Sequence, residues 1–517
     1  VGQHCDVVHF PLISRLMLVE SLRPRFPLRA TSSPRLMRRI AISMTLLALL
    51  PDVAAASVGP APDHARDEAT REAAFVARAI MPASTAAALN AIVMVPGFSR
   101  QTGLPCAACH YQFPQLNAFG RQFKLNGYTL TTLHTITAKA SDTTKRETLA
   151  LLPIPPLSAM LVASLTATRT AVPGTQNGTA SFPQQASLFL AGAITPKIGI
   201  FSQLTYSAAS GSVGIDNTDL RFADHATVGG EDVLYGVTLN NNPTVQDVWN
   251  TVPAWGFPFM SSGAAPATNA AALIDGGLGQ QVVGLGAYAL WRGALYTEFS
   301  AYRAAPQGHG GPLDSTATNT ARGVIPYWRV ALQHQFDAGY LMVGTYGISA
   351  SLYPTGVAGP TNRHTDLGFD AQFEHPAGDG GAVIVRSNFI RERRQQTAFL
   401  ASDPPTAANE RVVLSTLRVN ATYQPDMRYG FTAGLFGTGG TADSLVYAPG
   451  PVTGSASGSP SSRGYLAEFA VNPWQNVRLA AQYTGFTRFN GGTENYDANG
   501  RSAANNGTLY LYTWIAY

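Results

Sequence analysis

Two cysteines and a histidine stand together in an arrangement that can do redox chemistry: Cys106-Ala107-Ala108-Cys109-His110. The spacing C-x-x-C-H is the attachment signature of a c-type haem. Both thiols add to the porphyrin vinyl groups, and the adjoining imidazole lies under the iron as proximal ligand. The third cysteine of the chain, Cys5, precedes a segment with leader character. A zinc knuckle would need a second C-x-x-C, and the chain has none. A disulfide between Cys106 and Cys109 would leave His110 without a role. One haem c is therefore the expected cofactor, held covalently by Cys106 and Cys109 and ligated through its iron by His110. No phosphate loop, Ser/His/Asp arrangement or further metal cluster is visible, so no other catalytic residue is expected.

What such a group does depends on the far side of its iron. Six-coordinate iron carries electrons, whereas an open position admits peroxide or gas. His134 is the ligand-type side chain between His110 and the following linker, and Met94 is the second candidate for the distal position. Met81 and His64 lie further upstream. An open site stands beside these alternatives.

The elements that must position the motif are short. Residues 67–80 have helical composition and end at Met81-Pro82, and 84–94 form a second helical stretch stopped by Pro96 and Gly97. Residues 116–125 read as an amphipathic helix with Phe119 and Phe123 at i, i+4. Those rings pack either on the porphyrin face or in an ordinary core between helices. Gly127 fits as the stop of this helix. Pro153, Pro155 and Pro156 make a stiff linker. Residues 57–156 thus read as a small α-helical segment carrying the haem.

The residues around the motif carry a resemblance. Arg100-Gln101-Thr102-Gly103 leads in, and Pro114, Asn117 and Phe119-Gly120-Arg121 come after it. Residues 95–130 resemble the fused monohaem c-type cytochrome–porin family of the bacterial outer membrane, whose best-known members are iron(II) oxidases. Ser99 stands where the family has alanine. The remainder of the chain matches that family in layout. The resemblance implies an extracellular electron donor, Fe(II), a periplasmic electron-carrier protein as acceptor, and an Fe(II):cytochrome c oxidoreductase activity.

Ahead of this segment, residues 1–36 read as an upstream extension. Residues 37–56 read as a signal peptide, with Met37-Arg38-Arg39, an apolar run at 40–50 and Ala54-Ala55-Ala56 before Ser57. Residues 1–56 hold seven of the 35 basic and three of the 31 acidic residues, so residues 57–517 are formally neutral. That balance excludes an electrostatic nucleic-acid binder. Charged residues make up 13% of the chain, about half the usual share of roughly 25%. Beyond the leader no apolar run is long enough for a transmembrane helix.

From residue 159 onward the pattern turns to period two. Leu367, Phe369, Ala371 and Phe373 alternate with Asp366, Asp370, Gln372 and Glu374. Trp328, Val330 and Leu332 alternate with Arg329, Ala331 and Gln333, and Leu479 and Tyr483 alternate with Arg478 and Gln482. One apolar and one charged face suit a barrel with lipid outside and water inside. Sixteen strands are expected, near 159–169, 185–194, 197–207, 218–226, 232–240, 281–291, 293–303, 326–336, 339–350, 364–375, 381–391, 412–423, 428–437, 464–472, 476–487 and 508–517. Tight turns alternate with long loops, as periplasmic turns and outer loops do in outer-membrane barrels. The loop 241–280 is unusually aromatic and is expected to fold into the lumen. The fold class is therefore all-β: a 16-stranded antiparallel outer-membrane β-barrel at 157–517, with the helical haem segment ahead of it.

A haem performs one-electron chemistry, and a barrel opens an insulating layer. Their fusion implies an electron conduit embedded in outer-membrane lipid. A helical appendage of this size has a gyration radius near 13 Å, so only a segment of about 40 residues around Cys106 fits inside a side-chain-lined lumen. Two rival functions stay open. One is a porin for solute diffusion with the haem segment as a structural plug, and the other is a pore-tethered haem peroxidase or sensor.

Overall fold

The computed structural model describes residues 96–130, 133, 137–140, 147–150, 156–252, 254–304, 320–353, 359–378 and 380–517. The expected leader, the two upstream helices, Met94, His134, Pro153 and Pro155 lie outside the described residues. The chain divides into two compact units, and the first, Val1–Met81, falls wholly outside them.

Sixteen long antiparallel strands form one closed barrel. They are β1 (Leu157–Thr168), β2 (Thr179–Thr195), β3 (Ile198–Ser207), β4 (Ser212–Val228), β5 (Glu231–Asn240), β6 (Val282–Trp291), β7 (Leu295–Ala304) and β8 (Ile325–Phe336). Then come β9 (Gly339–Tyr353), β10 (Asn362–Pro376), β11 (Ala382–Gln395), β12 (Arg411–Gln424), β13 (Tyr429–Gly440), β14 (Ser462–Trp474), β15 (Val477–Arg488) and β16 (Thr508–Ala516). Each pairs with its sequence neighbours, and β16 closes the ring on β1 in the register Thr508↔Thr168 through Ala516↔Met160. Closure leaves no sheet edge, so every strand has a partner on both sides.

All sixteen expected strands have a counterpart. β2 and β4 begin earlier than the alternation indicates, at Thr179 and Ser212 rather than near 185 and 218. Their extra turns pair Thr179 with Thr166 and Val213 with Tyr206. Backbone hydrogen bonds carry these extensions, and each is a short run, Thr179 to Gln184 and Ser212 to Asn217, broken by Pro183 or Gly214.

The face assignment follows from exposure. Outward Leu435, Leu285, Phe299 and Leu332 are 67%, 61%, 59% and 55% exposed, while inward Arg221 and Arg329 are fully buried. An apolar belt running round a closed barrel is the surface that lipid covers. At the end carrying the short turns, exposed Trp291, Tyr423, Tyr429, Trp474 and Tyr517 add the aromatic girdle of a membrane boundary. Among the described residues no helix is long and apolar enough to span a membrane.

The loop between β5 and β6 enters the lumen. Trp249 Nε1 donates to Tyr340 Oη at 2.6 Å, Gln246 Nε2 to Tyr302 Oη at 2.7 Å, and Arg386 Nη1 to the Asn250 carbonyl at 3.0 Å. Asp247 accepts from the backbone N–H groups of Trp249, Thr251 and Val252 at 2.8–3.0 Å. Its carboxylate also lies 3.5 Å from Arg329, which in turn pairs with Asp370 at 2.5 Å. Such a buried cation is tolerable because two carboxylates and the rings of Trp249 and Tyr346 surround it.

Candidate functional site

Residues 96–130 are held against the inner wall at the short-turn end by contacts spread along their length. Helix α1 (Gly97–Thr102) carries the lead-in residues and ends on Gly103 at φ 69°. Arg100 donates to the Leu157 carbonyl, and Gln101 Nε2 donates to the Ala191 carbonyl at 2.8 Å. Gly192 makes room for that amide, since a Cβ there would lie 2.5 Å from Gln101 Oε1. Next comes the 3-10 turn Cys106–Ala108. The Cys106 N–H donates to Gln475 Oε1 at 3.0 Å, in the turn between β14 and β15.

A short hairpin pairs His110–Gln112 with Gln115–Leu116, and Arg478 Nη1 of β15 donates to Gln112 Oε1 at 2.6 Å. Helix α2 (Ala118–Leu125) comes next, shorter at its start than expected because Asn117 caps it. Asn117 Oδ1 accepts from the Gly120 N–H at 2.9 Å, a standard use of asparagine at a helix start. The same side chain donates Nδ2 to the carbonyls of Ala107 and Ala108 at 3.2 and 3.0 Å. One residue thus ties the C-x-x-C turn to the helix. Gly120 abuts that turn directly, and a Cβ on it would stand 2.1 Å from the Cys109 carbonyl oxygen.

Arg121 forms a buried bidentate pair with Glu374 of β10, and Tyr111 Oη donates to Glu374 Oε2 at 2.8 Å. Lys124 donates to the carbonyls of Val245 and Asp247 on the inward loop. Burial and the nearby charge of Arg221 bring its amine down to about 7. Gly127, at φ 71°, ends the helix as expected and lies against Gly199 of β3. Tyr128 Oη then donates to Asp219 Oδ2 at 2.7 Å.

Cys106, Cys109 and His110 share the wall of one cavity of about 410 Å³. Phe98, Phe123 and Tyr128 line it from the same segment, Phe189, Phe201 and Trp514 from the barrel, and Trp255, Phe259 and Met260 from the inward loop. Phe123 packs edge-on against Phe98 at 5.1 Å, and Phe98 stacks on Tyr128 at 5.7 Å. Of the expected helix pair, only Phe123 reaches the cavity; Phe119 is half-buried elsewhere.

The donor set suits a c-type haem. The volume falls in the range of about 300–1,000 Å³ typical of cofactor pockets, and the walls are mainly apolar. Burial pushes the His110 imidazole down to about 4, opposed by the backbone of Pro114 and Gln115. The ring is therefore neutral near pH 7, as an iron ligand must be. Among the described residues its Nδ1 is buried with no hydrogen bond of good geometry. Burial, with Cys106 alongside, pushes the Cys109 thiol up to about 12, and burial raises Cys106 as well. Among the described residues no group of three or more His, Cys, Asp or Glu side chains gathers as a zinc site.

The plug side of this cavity is written in the motif and its neighbours, and the barrel side is not. One signal was present: Leu188-Phe189-Leu190-Ala191 and Ile200-Phe201 are apolar at successive positions rather than alternate ones. Leu188 and Leu190 face outward while Phe189 lines the cavity. A strand apolar on both faces covers something apolar on both.

No protein-family model and no curated protein sequence matches this chain. Solved structures are similar to it at low identity. A loop L8 deletion mutant of OmpT, an outer membrane protein of Vibrio cholerae, is 10% identical over 70% of this chain and 98% of that one, with a TM-score of 0.38. OmpF of Salmonella typhi, solved in complex with daunomycin, is 12% identical over 70% and 97%, with a TM-score of 0.41. The outer membrane channel DcaP of Acinetobacter baumannii is 9% identical over 70% and 96%, with a TM-score of 0.38. The barrel architecture rests on the strand pairing itself.

Proposed function

We propose that this chain is an outer-membrane electron conduit that takes electrons from an extracellular donor and passes them to a periplasmic cytochrome. The observation that carries the reading is the C-x-x-C-H motif seated in an aromatic cavity on the inner wall of a closed barrel. Cys106 and Cys109 would hold one haem c, with His110 as its proximal ligand. Bound there, the group supplies one-electron chemistry at a potential tuned by its ligands and by exclusion of water. Phe98, Phe123, Tyr128 and Trp255 would give the group a largely apolar wall. Arg121, Lys124 and Tyr128 keep the motif at a fixed depth, because each is anchored to strands or loop by a buried polar contact. By resemblance the donor is Fe(II), which makes the activity Fe(II):cytochrome c oxidoreduction.

Anaerobic stopped-flow mixing of the purified protein with Fe(II) tests this. Growth of the reduced-haem band is expected. The Cys106→Ala/Cys109→Ala protein should show neither that band nor covalent haem stain on a denaturing gel. Stained wild-type protein that Fe(II) does not reduce would overturn the conduit reading.

The porin alternative is consistent with the barrel and with the many anchors of residues 96–130, which also suit a permanent structural plug. It expects solute flux through the purified barrel without iron-dependent haem reduction. The peroxidase or sensor alternative expects a five-coordinate, high-spin spectrum.

A further inference from the structure

The cavity has two sides along the barrel axis. Its plug side is fixed at the short-turn end, where Gln475 holds Cys106. Its opposite side is the inward loop, and Met260 is part of it. Met260 is fixed at a deeper level. Gln482 Nε2 of β15 donates to its carbonyl at 3.1 Å, and the next two residues are tied by Gln184 Nε2 to the Ser261 carbonyl at 3.0 Å and by Ser262 Oγ to Thr166 Oγ1 at 2.6 Å. Gln482 and Thr166 both stand opposite Tyr510 of β16. Trp514 and Ala516, which also line the cavity, are further along β16 toward the short-turn end. His110 and Met260 therefore line one cavity from separate elements anchored at different depths of the barrel.

The chemistry of the lining narrows the choice. Among the described lining residues, the soft donors besides the two cysteines are the thioethers of Met160 and Met260, and the remaining nitrogen base is Lys124. Lys124 is engaged by two loop carbonyls. Met160 faces Ala516 across the β1–β16 seam, on the side wall at the plug's own level. Amide and hydroxyl oxygens are hard donors and bind haem iron less well than a thioether does. Met260 is only 8% exposed and packs with Met160, Val162, Tyr510 and Tyr512, so its side chain is already ordered in an apolar wall.

We infer that Met260, supplied by the inward loop, is the distal ligand opposite His110. The assignment rests on the haem reading above. It makes the loop between β5 and β6 part of the redox site, and it favours electron transfer over peroxide or gas chemistry by closing the sixth position. A methionine ligand also raises the potential relative to other axial ligands.

The test is spectroscopic. Ferric wild-type protein should show the near-infrared charge-transfer band of methionine-ligated haem, a low-spin signature and slow binding of carbon monoxide when reduced. Met260→Leu, close to volume-conserving, should keep covalent haem stain, lose that band and lower the midpoint potential. Met160→Leu and Met94→Leu should keep the band. Wild-type protein that stains for haem but lacks the band would overturn the ligand assignment alone, and this measurement needs no variant to fold. So would loss of the band in Met160→Leu or Met94→Leu with its retention in Met260→Leu. Wild-type protein without covalent haem stain would instead overturn the haem reading, and the ligand with it.

Discussion

At the scale of single residues, the motif was readable because its chemistry is encoded in adjacent positions. Cys106, Cys109 and His110 need no fold to be recognised. The residues that support them do. Gly120 looks like an ordinary helix glycine in the sequence, yet its place against the Cys109 carbonyl leaves no room for a methyl group. Gly120→Ala should push the C-x-x-C turn out of position at a cost of about 1–3 kcal/mol, the usual range for overpacking. Haem stain per unit of barrel protein should fall several-fold, and an unchanged yield would show that the turn can yield to the added methyl. Lys124 offers a pH-dependent test. Its amine titrates at about 7 in the docked plug against 10.5 when free, so the docked form binds fewer protons between those values. Docking must then strengthen as pH rises from 7 to 10.5 and be weakest below 7. Urea midpoints for plug release should increase over that window, and Lys124→Met should flatten the slope.

Elements were legible wherever apolar and polar positions alternate. That is why all sixteen strands could be located, while the early starts of β2 and β4, short runs broken by Pro183 and Gly214, could not. The aromatic content of the 241–280 loop announced its turn into the lumen, because Trp249 and Trp255 have no reason to face water. Which barrel residues would receive the plug was not legible, since that depends on strands far apart in sequence meeting the same helix. Arg121 and Glu374 illustrate this: 253 residues separate them, and both side chains are almost fully buried. Removing one partner strands a charge beside Tyr111 and Tyr340. Arg121→Met should therefore destabilise plug docking by about 3–5 kcal/mol. Arg121→Met combined with Glu374→Gln should recover much of that loss, because no buried charge remains unpaired. Denaturant titration of tryptophan fluorescence in the two variants decides the matter; equal losses would mean that the ion pair does not anchor the helix.

For the whole molecule, on the proposed electron-conduit reading, the depth of the cavity sets which donors can be used. The cavity lies at the short-turn end, the periplasmic end in the proposed topology. A donor outside the cell is separated from it by an apolar band about 25 Å tall. Among the described residues the inward loop crosses the lumen, held to the far wall by Glu392, Asp366 and Arg418. Two smaller cavities, of about 220 and 300 Å³, share Phe257, Pro258, Ser261, Arg418 and Asn420 with one another. The smaller also shares Asn250, Gly256 and Pro258 with the motif's own cavity. Asp275 lines this middle space and pairs with Arg418. If this series is the route to the motif, cavities of this size admit a dissolved ion and not a polymer or a mineral surface. Protein oriented in vesicles with the long loops outward should therefore be reduced by dissolved external Fe(II) and not by Fe(II) held on an impermeable polymer. Arg418→Ala, which widens the middle cavity, should speed reduction by dissolved Fe(II) and leave the polymer-held donor without effect. Equal reduction of the wild type by both donors would mean that electrons enter at the long-loop end, and that the motif's depth does not select the donor.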